Sequence, residues 1–462
     1  MSATTDRRAQ PARKKRASQQ PSQESKAGLR ARQTAVKLLS AVVDAHTPLD
    51  ALTDGEHGHP HYLSLEVRDR ALVRAILVSA LRHRSTIDKL LSERLQRSLP
   101  ANARSLSHIL HVGAAQILFL DVPDSAAVDL AVTQAKADPR TVRFASLVNG
   151  VLRNLARGKA DALPKALAGT RDAPQWLIER LEAAYGTELT DAILEAHRHE
   201  APIDLTVKSE PEIWAKRLGG IVMPNGSVRL DRLDKPVPEL AGYSEGAWWV
   251  QDAAASLPAR LLGNVSGLKV ADLCAAPGGK TAELAHAGAQ VTAVDQSASR
   301  LKRLESNLAR LGLEAEIIKA DILNWPPEML FDAVLLDAPC SSTGTIRRHP
   351  DVLWTKTPDD ISRLAHLQKR LLERAFEQVK PGGTVVFANC SLVPEEGENL
   401  VAEVIAERND VELDPVHPAE LPGAEQFVTP QGFLRTLPVS NEERGRLNNV
   451  DGFFAARLKR AK

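Results

Sequence analysis

A chain of 462 residues is too long for one compact core, and at roughly 100 to 200 residues per domain it divides into about three. Charged residues make up 25% and hydrophobic residues 43%, and no apolar run of about 18 residues or secretory leader is visible. This excludes a membrane protein and points to the cytoplasm, while three cysteines, Cys274, Cys340 and Cys390, with no C-x-x-C pair, exclude a disulfide framework and give no reason to expect a metal site.

The net charge of +1 hides a basic N-terminus. Residues 1–32 carry Arg7, Arg8, Arg13, Lys14, Lys15, Arg16, Lys26, Arg30 and Arg32 against Asp6 and Glu24. Rich in Ser, Gln, Pro and Ala, residues 1–30 read as a disordered tail attracted to phosphate or simply solubilising. From 31 to about 160, apolar residues recur at three and four spacings in segments such as "EVRDRALVRAILVSALRHRSTIDKLLSERL", which predicts an all-helical domain. Arg68, Arg70, Arg74, Arg82, Arg84, Arg140, Arg143 and Arg153 are expected on its surface, as solvated faces or facing RNA. Residues 171–265 open with a short helix, "PQWLIERLEAAYG", and change to strand-like pieces separated by Pro and Gly, a small α/β connector.

From 266 to 462 the strands "LKVADLC", "AQVTAVD", "AEIIKAD", "FDAVLLDA" and "GTVVFANC" alternate with helices, which predicts a mostly parallel, Rossmann-like sheet covered on both faces. Ligands of such sheets bind beyond the carboxyl ends of the strands, where Asp272, Asp295, Asp321, Asp337, Cys340 and Cys390 fall.

"DLCAAPGGKT" is a strand, a small-residue turn and a helix start whose glycines admit a ligand close to the backbone. It is neither G-x-G-x-x-G nor a Walker A loop, because Cys274 stands where the latter needs glycine. Asp295 is placed to accept the hydroxyls of a ribose, and Asp321 an adenine amino group. Adenosine recognition without a dinucleotide or triphosphate signature indicates S-adenosylmethionine. In "DAPC" a thiol follows the turn where amino-directed methyltransferases place an aromatic, and a thiolate suits carbon chemistry: addition to C6 of a pyrimidine makes C5 nucleophilic. Asp337 is placed to hold a cytosine edge and act as an acid. An unperturbed cysteine is only roughly 3% thiolate at pH 7, so activation is needed. Lys280, Arg347, Arg348 and helix N-termini are candidate sources, and the residues alone leave open which cysteine attacks.

Together "DLCAAPGGKT", "AVDQS", "KAD", "LLDAPCSSTGTIRRHPD", "ANCSLVPEEGEN" and "DGFFAARL" resemble the RNA 5-methylcytosine methyltransferases of the Fmu/Sun type, in that family's order over residues 251–458. The helical front half, with "RFASLVNGVLRNL", resembles the RNA-binding fold of the NusB antitermination factor. The resemblance implies S-adenosylmethionine-dependent methylation of a cytidine C5 in small-subunit ribosomal RNA. It implies Cys390 as nucleophile and Cys340 as the residue that assists adduct breakdown. It also implies a cofactor pocket of Cys274, Ala275, Ala276, Pro277, Gly278, Gly279, Lys280, Asp295, Asp321 and Asp337. Two positions depart from the family: Asn389 where Thr usually precedes the nucleophile, and Thr206 to Lys208 where an Arg-Val-Asn triplet is common. The alternatives are the same chemistry on transfer RNA, or a non-catalytic ribosome-assembly or antitermination factor.

Overall fold

The computed structural model describes residues 23–100, 102–233, 235–326, 328–439 and 447–462. Of the basic tail, residues 1–22 lie outside this set. The first helix, Gln23–Ala45, starts eight residues ahead of the expected boundary at 31, and Arg32 belongs to no tail. Its guanidinium is buried and donates to Gln116 Oε1 at 2.8 Å, because Ala31, Ala35, Leu38 and Leu39 carry that turn into the core.

Seven further helices follow: Leu49–Thr53, Pro60–Leu63, Val67–Arg82, Arg84–Ser92, Arg104–Phe119, Asp124–Ala137 and Ala145–Ala168. Arg104–Phe119 is apolar almost all round and lies at the centre, as a helix without a polar face must. A Cβ on Gly113 would meet Leu152 Cδ1 at 2.6 Å, so glycine lets the last helix close on it. Two histidines of this central helix meet carboxylates, His108 that of Asp44 and His111 that of Asp88, each at 2.8 Å.

The connector begins with Gln175–His197, longer than the expected short helix and broken at Gly186, whose φ is +77°. Four short antiparallel strands, β1 (Ile203–Val207), β2 (Ile221–Val222), β3 (Val228–Leu230) and β4 (Trp248–Val250), follow in the order β2-β3-β1-β4.

The second sheet contains β5 (Lys269–Leu273), β6 (Gln290–Asp295), β7 (Glu316–Lys319), β8 (Phe331–Asp337), β9 (Val379–Asn389), β10 (Val411–Leu413), β11 (Leu434–Thr436) and β12 (Phe453–Arg460). Its order is β10-β12-β9-β8-β5-β6-β7, with β11 paired to β12. The five strands β5 to β9 are parallel and β10 to β12 antiparallel. Residues alternate between the two faces with period two. Ala271, Leu273, Val334, Leu336, Val385 and Phe387 meet the helices Pro358–Gln378 and Glu398–Glu407. Val270, Leu335, Val386 and Ala388 meet Leu257 and Leu284 on the other side.

The segment after β8 docks the helical domain. Arg82 Nη2 donates to the Arg347 carbonyl at 2.7 Å, Trp354 Nε1 to the Leu81 carbonyl at 2.8 Å, and Leu49 N to Asp351 at 2.9 Å. Arg82, expected on the surface, is therefore buried, and Arg84 lies over the Trp354 ring; both left the solvent face because the second domain covers it. Arg70, partly buried, donates to the Leu65 carbonyl, whereas Arg68, Arg74, Arg140, Arg143 and Arg153 are exposed.

Candidate active site

β8 and β9 are parallel neighbours with Asp337 opposite Ala388, so the loops that leave their carboxyl ends start side by side. Ala338 N donates to the Ala388 carbonyl at 2.8 Å, and Gly344 N to the Cys390 carbonyl at 2.9 Å. Gly344 must be glycine, since a Cβ there would lie 2.0 Å from the Gly452 carbonyl oxygen. The result is a contact between Cys340 Sγ and Cys390 Sγ at 3.4 Å, well beyond the roughly 2.05 Å of a disulfide and suited to an S–H···S hydrogen bond. Both residues are partly exposed.

The shared proton splits the two thiols. Hydrogen bonding from Cys340 favours the thiolate of Cys390 and outweighs its burial. The same bond, with burial and the charge of Glu396, holds Cys340 well above the usual thiol range. The Ser342 side chain and Lys280 also favour the Cys390 thiolate, against the opposing charge of Asp337, while Glu396 acts on Cys340. Of the three cations expected to serve the thiol, only Lys280 does. Arg347 donates to Asp451 at 2.8 Å, and Arg348 bridges Asp451 at 2.6 Å and Asp252 at 2.7 Å, because buried guanidiniums need carboxylate partners of their own.

Lys280, buried at the start of the helix Gly279–His286, donates to Asp337 Oδ2 at 2.8 Å. Burial pulls its pKa down, but Asp337 and Glu283 outweigh that and it stands above the ordinary lysine value. Asn389 is fully buried: its amide nitrogen donates to the Glu396 carbonyl, and its oxygen accepts from Ser391 N at 2.9 Å. It holds the two ends of the loop after β9 together.

A cavity of about 330 Å³, reached by Lys280 and Asp337, opens between the connector and the sheet. It is lined by Ala275, Ala276, Pro277, Gly278, Gly279, Lys280, Asp272 and Asp337 from the sheet side, and by Trp249 and Gln251 from the connector. A larger cavity of about 990 Å³ lies at the amino ends of β5 to β8, the opposite end from the cysteines. The turn that shapes the smaller one has Cys274 at φ +61° and Gly278 at φ +102°, where a Cβ would strike Leu304. Burial pushes the Cys274 thiol up, which makes it packing rather than a reactive thiol. Thr206, one of the departing connector residues, donates to Gln251 at 2.8 Å and so props the cavity wall.

Asp295 ends β6 almost wholly buried and accepts from Ala276 N at 3.3 Å, Ser297 N at 2.8 Å and Arg300 Nη2 at 3.1 Å. Ser297 caps the following helix, as its position before Ala298–Leu311 implies. Asp321 does not end the third strand, since β7 stops at Lys319. It is exposed, does not line the cavity, and accepts from Leu323 N at 3.1 Å and Asn324 Nδ2 at 2.6 Å, a carboxylate closing its own turn.

Asp272 was given no particular role by its spacing. It is fully buried, takes the Thr281 hydroxyl at 2.6 Å on Oδ2, and leaves Oδ1 without a partner among the described residues, while its side chain lines the cavity. An orphaned acceptor facing an open cavity suits a ligand carrying a cationic or amino group. Burial above all pushes its pKa up to about 7. The folded state then binds more protons than the unfolded one, whose Asp titrates near 4, so this group costs stability increasingly as pH rises from about 4 through 7. Asp272→Asn, which imitates the protonated form, is expected to stabilise the free protein at pH 8 by on the order of 1 to 4 kcal/mol and to lose affinity for an amino-bearing ligand. Urea unfolding at pH 5 and pH 8 checks this, and a variant less stable than wild type at pH 8 would refute it.

Comparison with known proteins now bears on this geometry. Residues 259–459 match the family model described as 16S rRNA methyltransferase RsmB/F, and residues 29–157 that of the NusB family. The ribosomal RNA small subunit methyltransferase B of Cronobacter sakazakii is 35% identical over 85% of this chain and 90% of that one. The namesake protein of Citrobacter koseri is 37% identical over 85% of this chain and 91% of that one. The chain belongs to the RsmB/F family of 16S rRNA methyltransferases. Among solved structures, a methyltransferase homologue from Pyrococcus horikoshii is 29% identical, covering 64% of this chain and 98% of that chain, with a TM-score of 0.51. Family membership makes the protein an RNA methyltransferase with a NusB-like helical front domain and a Rossmann-like catalytic domain. No helix among the described residues is long and apolar enough to cross a membrane.

Proposed function

We propose that the protein uses S-adenosylmethionine to methylate C5 of one cytidine in small-subunit ribosomal RNA, with Cys390 as nucleophile and Cys340 assisting release. The observation that carries this reading is the 3.4 Å contact of the two sulfurs beside the Lys280–Asp337 pair. C5 of cytosine does not attack a methyl donor unaided. Addition of the Cys390 thiolate to C6 forms the S–C6 bond and moves a ring electron pair toward C5 and N3, where Asp337 and Lys280 can hold the base edge and its proton. The bound cofactor supplies an electrophilic methyl group on a sulfonium. C5 would take the methyl as the S–CH3 bond breaks with its pair left on sulfur, and would then give up its proton to water. The returning pair breaks the S–C6 bond and restores the Cys390 thiolate, with Cys340 placed in contact to assist.

In this reading Ala275 through Lys280 of the turn line the cofactor pocket, Cys274 packs beneath them, Asp295 stands behind Ala276 for the ribose, and Asp272 offers its unpaired oxygen to an amino group. Arg300, half-exposed, has room to leave Asp295 to the hydroxyls. Asp321 retains lone pairs for an adenine amino group beside its turn contacts. Loss of a hydrogen bond to a charged group costs roughly 1.5 to 3 kcal/mol, so Asp295→Ala should weaken S-adenosylmethionine binding about tenfold to a hundredfold. Calorimetry on the folded variant checks it, and unchanged affinity refutes the ribose assignment. The substrate is tested by bisulfite sequencing of ribosomal and transfer RNA from a strain lacking the protein. Loss of one 5-methylcytosine in small-subunit ribosomal RNA is expected, and a loss confined to transfer RNA would overturn the choice of substrate.

A further inference from the structure

Each cysteine of the pair is followed by a serine, and one buried carboxylate holds both serines. Glu396 is fully buried. Its Oε1 accepts from Ser341 N at 2.9 Å and Gln368 Nε2 at 2.8 Å, and its Oε2 from Ser341 Oγ at 2.5 Å and Ser391 Oγ at 2.6 Å. The two hydroxyls are themselves 3.2 Å apart. The loops after β8 and β9 come from chain segments about fifty residues apart, and this clasp joins them one residue beyond each sulfur.

We propose that Glu396 is a positioning residue that assigns the roles of the two cysteines: its clasp fixes the sulfurs in contact, and its charge keeps their shared proton on Cys340 and the thiolate on Cys390. This rests on the reading of Cys390 as nucleophile. The charged groups facing the pair are few. Lys280, from the helix after β5, acts on Cys390 and is itself bonded to Asp337 at the end of β8. Arg435 of β11 donates to the Ser391 carbonyl at 2.6 Å and is neutralised by Glu398 at 2.6 Å. Glu396 is thus the carboxylate on the Cys340 side with no cationic partner among the described residues, its four donors being neutral groups. Ionisation of the pair releases one proton to solvent, and the second stays between the sulfurs.

The test is alkylation of the full chain by iodoacetamide without RNA, following each cysteine by peptide mass spectrometry over about pH 5 to 9. In the wild type Cys390 should react ahead of Cys340. In Glu396→Gln this preference should fall about tenfold, the equivalent of one pKa unit, and the pair's first ionisation should move to lower pH because an anion has been removed. Glu396→Asp, which keeps the charge, should retain the preference. A merely structural clasp would act the opposite way, since separating the sulfurs removes the hydrogen bond that favours the thiolate and moves the ionisation to higher pH. An unchanged preference, or a shift to higher pH, in folded Glu396→Gln overturns the proposal. Should that variant not fold, Ser341→Ala removes one donor and leaves the charge, so the preference must persist, and its loss overturns the proposal equally. Failure of the underlying reading looks different: the alkylation pattern would hold while the RNA adduct mapped to Cys340.

Discussion

Cys390→Ala is expected to abolish both methyl transfer and any covalent adduct with RNA, because no other step makes C5 nucleophilic. Cys340→Ala should still attack and methylate, but it should release its product slowly and accumulate a protein–RNA species that survives denaturing electrophoresis. Both substitutions remove a thiol from the same contact, so the contrast isolates role from position. Cys340→Ala also removes the S–H that favours the Cys390 thiolate, so its attack should slow at low pH and recover as pH rises. An adduct that survives in Cys390→Ala and vanishes in Cys340→Ala would exchange the two roles.

Asp451→Ala should destabilise the protein by about 3 to 5 kcal/mol, the usual consequence of leaving a buried charge unpaired. Asp451 is buried and accepts from Arg347 at 2.8 Å and Arg348 at 2.6 Å, and Arg347 has no other carboxylate among the described residues. Arg348 keeps Asp252 from the connector, so the loss should fall mainly on Arg347. The Arg347 carbonyl also anchors Arg82 of the helical domain, so the damage should reach the domain junction and lower methyl transfer even where the chain remains folded. Urea unfolding with activity at a permissive temperature measures both. A loss under about 1 kcal/mol would mean that water or a rearranged partner replaces Asp451 at little cost.

Much of the architecture was legible in the sequence because helices and strands are encoded by local periodicity. The three- and four-residue spacing of the front half marks its helices, and the alternation after 266 marks the parallel strands and the edge where Asp337, Cys340 and Cys390 emerge. Partners are not encoded locally. Arg82 and Arg68 look alike as helix-surface arginines, yet a neighbouring domain buries one and leaves the other exposed. Asp295 and Asp321 both follow short strands, but one lies in the sheet edge and the other two residues past it, closing a turn.

The same division holds at the reacting pair. The sequence by itself determined that two cysteines leave one sheet edge, since strands that alternate with helices run parallel and end on the same side. Only the tertiary structure decided that their sulfurs touch, that Lys280 rather than Arg347 or Arg348 serves them, and that Glu396 rather than the adjacent Glu395 lies behind them. Glu395 instead meets Arg180 of the connector at 2.9 Å. A charge acts over a few ångströms whatever its place in the chain, so which carboxylate faces a thiol is a property of packing.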